Sequence, residues 1–255
     1  MLLAIDAGNT NIKLGVYQGP TFRAKWRLIP EYLPGEEYGT ELLRLFEGSG
    51  LEIKDVEAII IASVVPQLND TLRMMSERYL QLTPRFVDHT TNTGLKLLYD
   101  QPSQLGADRI VDSVAAVEKY GAPCIVVDFG TATTFNAINS KREYLGGIIA
   151  PGLMTAADAL FSRAAKLPRV AIERPAKVIG TSTIAAMQSG LFYGYASLID
   201  GLIERMIEEM EDAPKVIATG GLARLMEHAS KYTRHIDENL TLDGLRIIHE
   251  RNVGT

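Results

Sequence analysis

Two short stretches of this chain read alike, and their likeness limits the folds open to it. Asp6-Ala7-Gly8-Asn9-Thr10-Asn11-Ile12-Lys13-Leu14-Gly15 follows the apolar run 2–5. Asp128-Phe129-Gly130-Thr131-Ala132-Thr133-Thr134 follows the apolar run 124–127 and leads into Phe135, Ala137 and Ile138. Each reads as an apolar strand, an Asp-x-Gly turn bearing a Thr, and a second strand. In the first, Gly8 and Asn9 suit a tight hairpin because both tolerate positive φ. Such a turn points backbone N–H groups, the Thr10 hydroxyl and the Lys13 ammonium at one spot, where an anion such as a phosphate binds. Asp6, at the strand end, then faces a cation. Either stretch alone is ordinary turn chemistry with a solvated Asp. Two of them, one in each half, point to a duplicated fold that clamps a nucleotide between its halves.

The bulk properties are compatible with that reading. A chain of 255 residues makes one large domain or two similar ones and affords a core of good size. The hydrophobic fraction of 46% and charged fraction of 22% are those of an ordinary globular protein. A net charge of −5 gives no overall field to attract nucleic acid. The single cysteine, Cys124, excludes a disulfide framework, fits a reducing compartment, and reads as a small buried hydrophobe. The first residues lack the charged region of a signal peptide, and the longest apolar run, 58–65, is too short to span a bilayer. A cytoplasmic enzyme or binding protein, without membrane or nucleic-acid partners, is expected.

Along the chain, 2–5, 12–17 and 22–28 read as three antiparallel strands, 36–46 as a helix, 58–65 as a buried strand, and Pro66 as the start of another helix. Phe86 and Val87 begin a strand, and the polar stretch 88–103 is the expected boundary, giving halves of 1–103 and 104–255. The second half offers a helix over 110–120, strands over 124–128, 133–139 and 144–150, and a helix over 154–164. Thr181 opens a long helix whose apolar face is Ile184, Met187, Leu191, Tyr195, Leu198, Leu202 and Met206, running to Glu211. It reads as core, and its length also makes it a candidate dimer surface. A strand over 216–218 ends in Thr219-Gly220-Gly221, a helix over 222–229 follows, and 239–248 is a last helix. His89, His228, His235 and His249 show no metal-ligand spacing.

No Walker loop and no Gly-x-Gly-x-x-Gly fingerprint is present. The paired hairpins resemble those of the actin-like (ribonuclease H-like) ATPases and sugar kinases. That resemblance implies an α/β fold of two similar halves, each a mixed sheet flanked by helices. More narrowly, the chain resembles a type III pantothenate kinase. The matching blocks are Asp6 to Thr10 with Gly15, Gly106-Ala107-Asp108-Arg109, Asp128-Phe129-Gly130-Thr131, Gly146-Gly147-Ile148-Ile149-Ala150-Pro151-Gly152, and Thr219-Gly220-Gly221. They stand in the family's order, span nearly the whole chain, and none departs from the pattern.

The resemblance implies transfer of a phosphoryl group from ATP, with Mg2+, to the primary hydroxyl of pantothenate, giving 4'-phosphopantothenate in the first step of coenzyme A synthesis. It also implies a homodimer. Asp6, Ala7, Gly8, Asn9, Thr10, Asn11, Ile12 and Lys13 would hold the phosphates of ATP, Asp6 touching magnesium through water, with Thr131 as a second phosphate contact. The Thr219 block lies at the adenosine. Asp108 is implied as general base and Arg109 as the fork for the pantothenate carboxylate. Gly106 and Ala107 share that block, and Tyr99 and Thr183 match positions that contact pantothenate. Asp128 matches the ligand of a monovalent cation, K+ or NH4+. From spacing alone Asp108 is equally a helix-capping Asp, Arg109 a surface ion-pair partner, Tyr99 a loop aromatic and Thr183 a helix cap. Two other readings stay open: another actin-like small-molecule kinase, and a non-catalytic nucleotide-binding regulator.

Overall fold

The computed structural model describes residues 1–30, 35–164, 166–210 and 213–253. The chain forms two compact units, Met1–Ala115 with Asn239–Thr255, and Ala116–Glu238. In the first unit β1 (Leu2–Ala7), β2 (Ile12–Gln18) and β3 (Thr21–Leu28) make an antiparallel meander. Helix α1 (Gly35–Gly48) leads to β4 (Ala58–Ser63), and α2 (Pro66–Met75) leads to β5 (Arg85–Phe86). Both later strands are parallel to their neighbours, so the sheet order is β3-β2-β1-β4-β5. A short β6 (Lys96–Leu97) precedes α3 (Ala107–Tyr120), which runs on into the second unit.

The second unit repeats this plan. β7 (Cys124–Phe129), β8 (Ala132–Ile138) and β9 (Glu143–Pro151) form a second antiparallel meander. Helices α4 (Leu153–Arg163), α5 (Thr183–Ser189) and α6 (Tyr195–Met210) follow. β10 (Lys215–Thr219), α7 (Ala223–Met226) and β11 (His235–Ile236) complete the unit, with β10 parallel to β7 and β11 parallel to β10. The strands β9, β8, β7, β10 and β11 lie side by side in that order, strand for strand the order of the first sheet. α8 (Leu240–Asn252) then returns to the first unit.

The sequence pattern explains which strands are central. β1 and most of β7 are unbroken buried runs, as a strand covered on both faces requires, whereas β3 alternates exposed and half-buried residues as an edge strand does. On one face of the first sheet, Leu3, Ile5, Leu14, Ile59 and Ile61 pack with Tyr38, Leu42 and Phe46 of α1 and Leu68, Leu72 and Met75 of α2. α8 packs on β1, β2 and β4, where the Tyr17 hydroxyl donates to Asp243 at 2.8 Å. In the second unit, Ile125, Val127, Phe129 and Phe135 pack with Leu153, Phe192, Tyr195, Ile199 and Ile203. Among the described residues no helix is long and apolar enough to cross a membrane. Burial pushes the Cys124 thiol up to about 12, in keeping with an inert core residue.

Several expectations change. The expected break at 103/104 falls inside the first unit, because the start of α3 and all of α8 belong with the first sheet. The long helix starts at Thr183, capped by Ser182, whose side chain accepts the Ala185 N–H at 3.2 Å. A π-helical turn at Gly190–Gly194 separates α5 from α6. After it Ile199 and Ile203 are buried along with Tyr195 and Met206, while Leu198 is 38% exposed; Ile184, ahead of the turn, is 52% exposed. Glu211 lies outside the described residues. The helix expected over 222–229 shrinks to the single turn of α7.

Candidate active site

The first hairpin is set by strand register. Asp6 and Lys13 are directly paired across the β1–β2 ladder, so both side chains emerge on one face. There Lys13 Nζ stands 3.0 Å from Asp6 Oδ2, with the side chains only 19% and 10% exposed. Lys13 thus lies as an ion-pair partner against Asp6. The turn closes through the Gly8 N–H, which donates to the Asn11 carbonyl at 3.0 Å, and leaves Asn9 and Thr10 exposed. Positive φ is not what the turn uses: among the described residues the positive-φ positions lie elsewhere. Gly8 serves by closeness, since a Cβ there would stand 3.2 Å from the Asn11 carbonyl oxygen.

The start of α3 belongs to the same unit. The carboxylate of Asp108 accepts the Arg109 backbone N–H at 2.8 Å. Gly106 makes room for it, because a Cβ at that position would come within 2.5 Å of Asp108 Oδ1. Burial raises the Asp108 pKa, and the negative charge of Asp6 raises it further, while the Arg109 backbone N–H and the charges of Arg109 and Lys13 oppose the shift. Asp6, Lys13, Asp108 and Arg109 thus act on one another. Arg109 is 5% exposed, so it is not the surface ion-pair residue that spacing alone allowed. Ala107 is buried, and Tyr99 is half-buried in the irregular stretch between β6 and α3.

In the second unit Asp128 lies near the end of β7, paired with Thr134 of β8 on one side and Thr219 of β10 on the other. Gly220, at φ +93°, passes directly over it: a Cβ there would stand 2.3 Å from Asp128 Oδ1 and 2.6 Å from the Phe129 nitrogen. That close approach joins two sequence blocks that are far apart in the chain. Thr131 is exposed at the tip of the turn, and its carbonyl accepts from the Gly152 N–H at 3.1 Å and the Thr155 hydroxyl at 2.7 Å. Thr183 is exposed as the first residue of α5.

A family model described as type III pantothenate kinase matches residues 2–205. The chain belongs to the type III pantothenate kinase family. A relative of that name from Anaeromyxobacter sp. (strain Fw109-5) is 52% identical over 99% of this chain and 100% of its own. Another, from Halalkalibacterium halodurans, is 50% identical over the same shares. Among solved structures, a protein from Sinorhizobium meliloti assigned as a 2-dehydro-3-deoxygalactonokinase aligns over 100% of this chain and 98% of its own, with TM-score 0.63 and 13% identity. The activator of 2-hydroxyisocaproyl-CoA dehydratase from Clostridium difficile, solved with bound ADPNP, aligns over 97% and 92% with TM-score 0.56 and 11% identity. These distant likenesses establish the fold, which is the duplicated actin-like one.

Against the family pattern, the structure gathers Asp6, Lys13, Asp108 and Arg109 in the first unit and seats Gly220 on Asp128 in the second. Among the described residues no three His, Cys, Asp or Glu side chains group closely enough to cage a metal ion. The fold instead offers single carboxylates, Asp6 and Asp128, at the two Asp-x-Gly turns, a donor set that suits a cation carried largely by another ligand. Sequence reasoning missed the Asp6–Lys13 ion pair and the supports behind the second hairpin, Thr133, Thr155 and Tyr195. Strand alternation could have flagged the first, whereas Tyr195 gave only a core signal.

Proposed function

We propose that this chain phosphorylates the primary hydroxyl of pantothenate with ATP, giving 4'-phosphopantothenate. The observation that carries this is the 52% identity, over the full length of both chains, to a type III pantothenate kinase. The hairpin Asp6 to Lys13 holds the nucleotide's phosphates, with the Lys13 ammonium offsetting their charge, and the exposed Thr131 is a phosphate-binding residue of the second unit. Magnesium, bound with the nucleotide, neutralises charge on the phosphates, and Asp6 is the carboxylate suited to hold it through water. Asp128 would hold K+ or NH4+.

Asp108 accepts the proton of the attacking hydroxyl. Its raised affinity for a proton, from burial and from Asp6, suits a general base. Arg109 grips the pantothenate carboxylate with its planar fork, aided by the backbone of Gly106 and Ala107 and by Tyr99. The exposed Ile184 and Leu198 of α5 and α6, with Val178 and Ile179 before them, support a homodimer. The single buried cysteine is in keeping with a cytoplasmic site of action.

The test is ADP release from ATP with and without pantothenate, in potassium and then in sodium buffer. Release that needs both pantothenate and potassium is expected. Release indifferent to pantothenate would overturn the substrate. Release that needs pantothenate but ignores potassium would remove the cation from Asp128 alone.

A further inference from the structure

Behind the second hairpin, two hydrogen-bonding groups converge on the hydroxyl of Tyr195, a residue with no part in the roles given above. Tyr195 opens α6 and is 6% exposed. Its hydroxyl bonds the hydroxyl of Thr133, which is fully buried on β8 and pairs with Phe129 of β7. The same oxygen is met by the backbone N–H of Leu153, the first residue of α4, and lies within electrostatic reach of the Asp128 carboxylate. Gly152, just before Leu153, and Thr155, two residues after it, both grip the Thr131 carbonyl. Tyr195 therefore ties three elements together at the base of the turn that carries Asp128 and Thr131.

A π-helical turn at Gly190–Gly194 immediately precedes Tyr195. One additional residue rotates everything after it by roughly 100° relative to an unbroken α-helix. Such turns concentrate at functional sites, where they re-aim a side chain.

We propose that the Tyr195 hydroxyl is a positioning group for the second phosphate hairpin, holding the turn at Asp128 and Thr131 in the geometry that binds nucleotide and a monovalent cation. This rests on the kinase reading above for the identity of those ligands. A buried tyrosine hydroxyl that merely satisfies a core bond is the competing account. The fold supplies a matched control. Tyr144 of β9 is also fully buried and donates its hydroxyl to Asn136 Oδ1 of β8 at 3.0 Å, toward the far end of the same strand pair.

The experiment compares Tyr195→Phe, Tyr144→Phe and Thr133→Val in the full-length protein. The readouts are the KM for ATP, the half-saturating potassium concentration, the KM for pantothenate and the melting temperature. Tyr195→Phe and Thr133→Val should each raise the first two by roughly three- to tenfold, the effect of one lost buried hydrogen bond. The KM for pantothenate should move by less than about twofold, and Tyr144→Phe should lower the melting temperature without moving the ATP or potassium values. The double variant should add nothing beyond either single one, since both remove the same bond. An unchanged ATP value in Tyr195→Phe, an equal shift in Tyr144→Phe, or additive effects in the double variant would overturn the proposal. Should Tyr195→Phe fail to fold, Thr133→Val carries the test. Should the wild-type protein show no pantothenate-dependent turnover, the kinase reading fails separately. Calorimetric titration of ADP into wild-type and Tyr195→Phe protein then decides the positioning role: weaker binding by the variant supports it, and equal binding overturns it.

Discussion

At the scale of single residues, Asp108 and Lys13 carry the sharpest consequences. Asp108→Asn keeps shape and removes the base, so turnover should fall by about 10²–10⁴-fold with nucleotide affinity unchanged in a direct binding assay. The raised pKa of Asp108 sets a pH dependence with a definite sign. Folding tightens this carboxyl's hold on its proton, so the ionised form costs stability above the folded pKa, and that cost fades as pH falls through it. Asp108→Asn should therefore melt higher than wild type at neutral pH, with the gain disappearing as the medium becomes acidic. A mutant that melts lower at neutral pH would contradict the burial account. The acid limb of kcat/KM should sit above the ordinary carboxylate range. Lys13 lowers the Asp108 pKa and pairs with Asp6, so Lys13→Ala should move that limb to still higher pH and raise the KM for ATP. A limb that stays in place would separate Lys13 from the base.

At the scale of elements, the hairpins and the helix after them teach different lessons. Both Asp-x-Gly turns were legible because strand, turn and strand are local patterns. The partner of Asp128 was not, since the contact with Gly220 bridges residues far apart in the chain. Gly220→Ala puts a Cβ into the backbone of Phe129 at positive φ, where a non-glycine residue already costs about 1–2 kcal/mol. It should lower stability by more than that in denaturant titration and weaken nucleotide binding. Gly221→Ala, with no protein atom near its Cβ position, should leave stability unchanged. Equal losses from the two would mean the turn does not depend on the approach to Asp128. The long helix shows where periodicity misleads: a uniform three-four spacing assigned Leu198 to the buried face, whereas after the π-helical turn Ile199 and Ile203 are buried instead.

At the scale of the molecule, α8 joins the first unit although all of the second unit precedes it in the chain. Leu240, Leu242, Leu245 and Ile248 are all fully or almost fully buried there. Losing one such side chain typically costs about 2–5 kcal/mol, and a whole domain has only about 5–15 kcal/mol in reserve. A chain ending at Glu238 should thus lose cooperative unfolding of the first unit, and a retained cooperative transition would show that α8 is dispensable. The sequence by itself determined the duplicated strand-turn-strand plan, the family, and the residues at both turns, because these rest on short-range pattern and on residue types set at fixed spacings. Only the tertiary structure decided that Lys13 faces Asp6, that Arg109 is buried beside Asp108, that Gly220 covers Asp128, and that Tyr195 reaches Thr133. Each of those depends on which elements pack together, and burial and long-range pairing are properties of the assembled fold that no local stretch encodes.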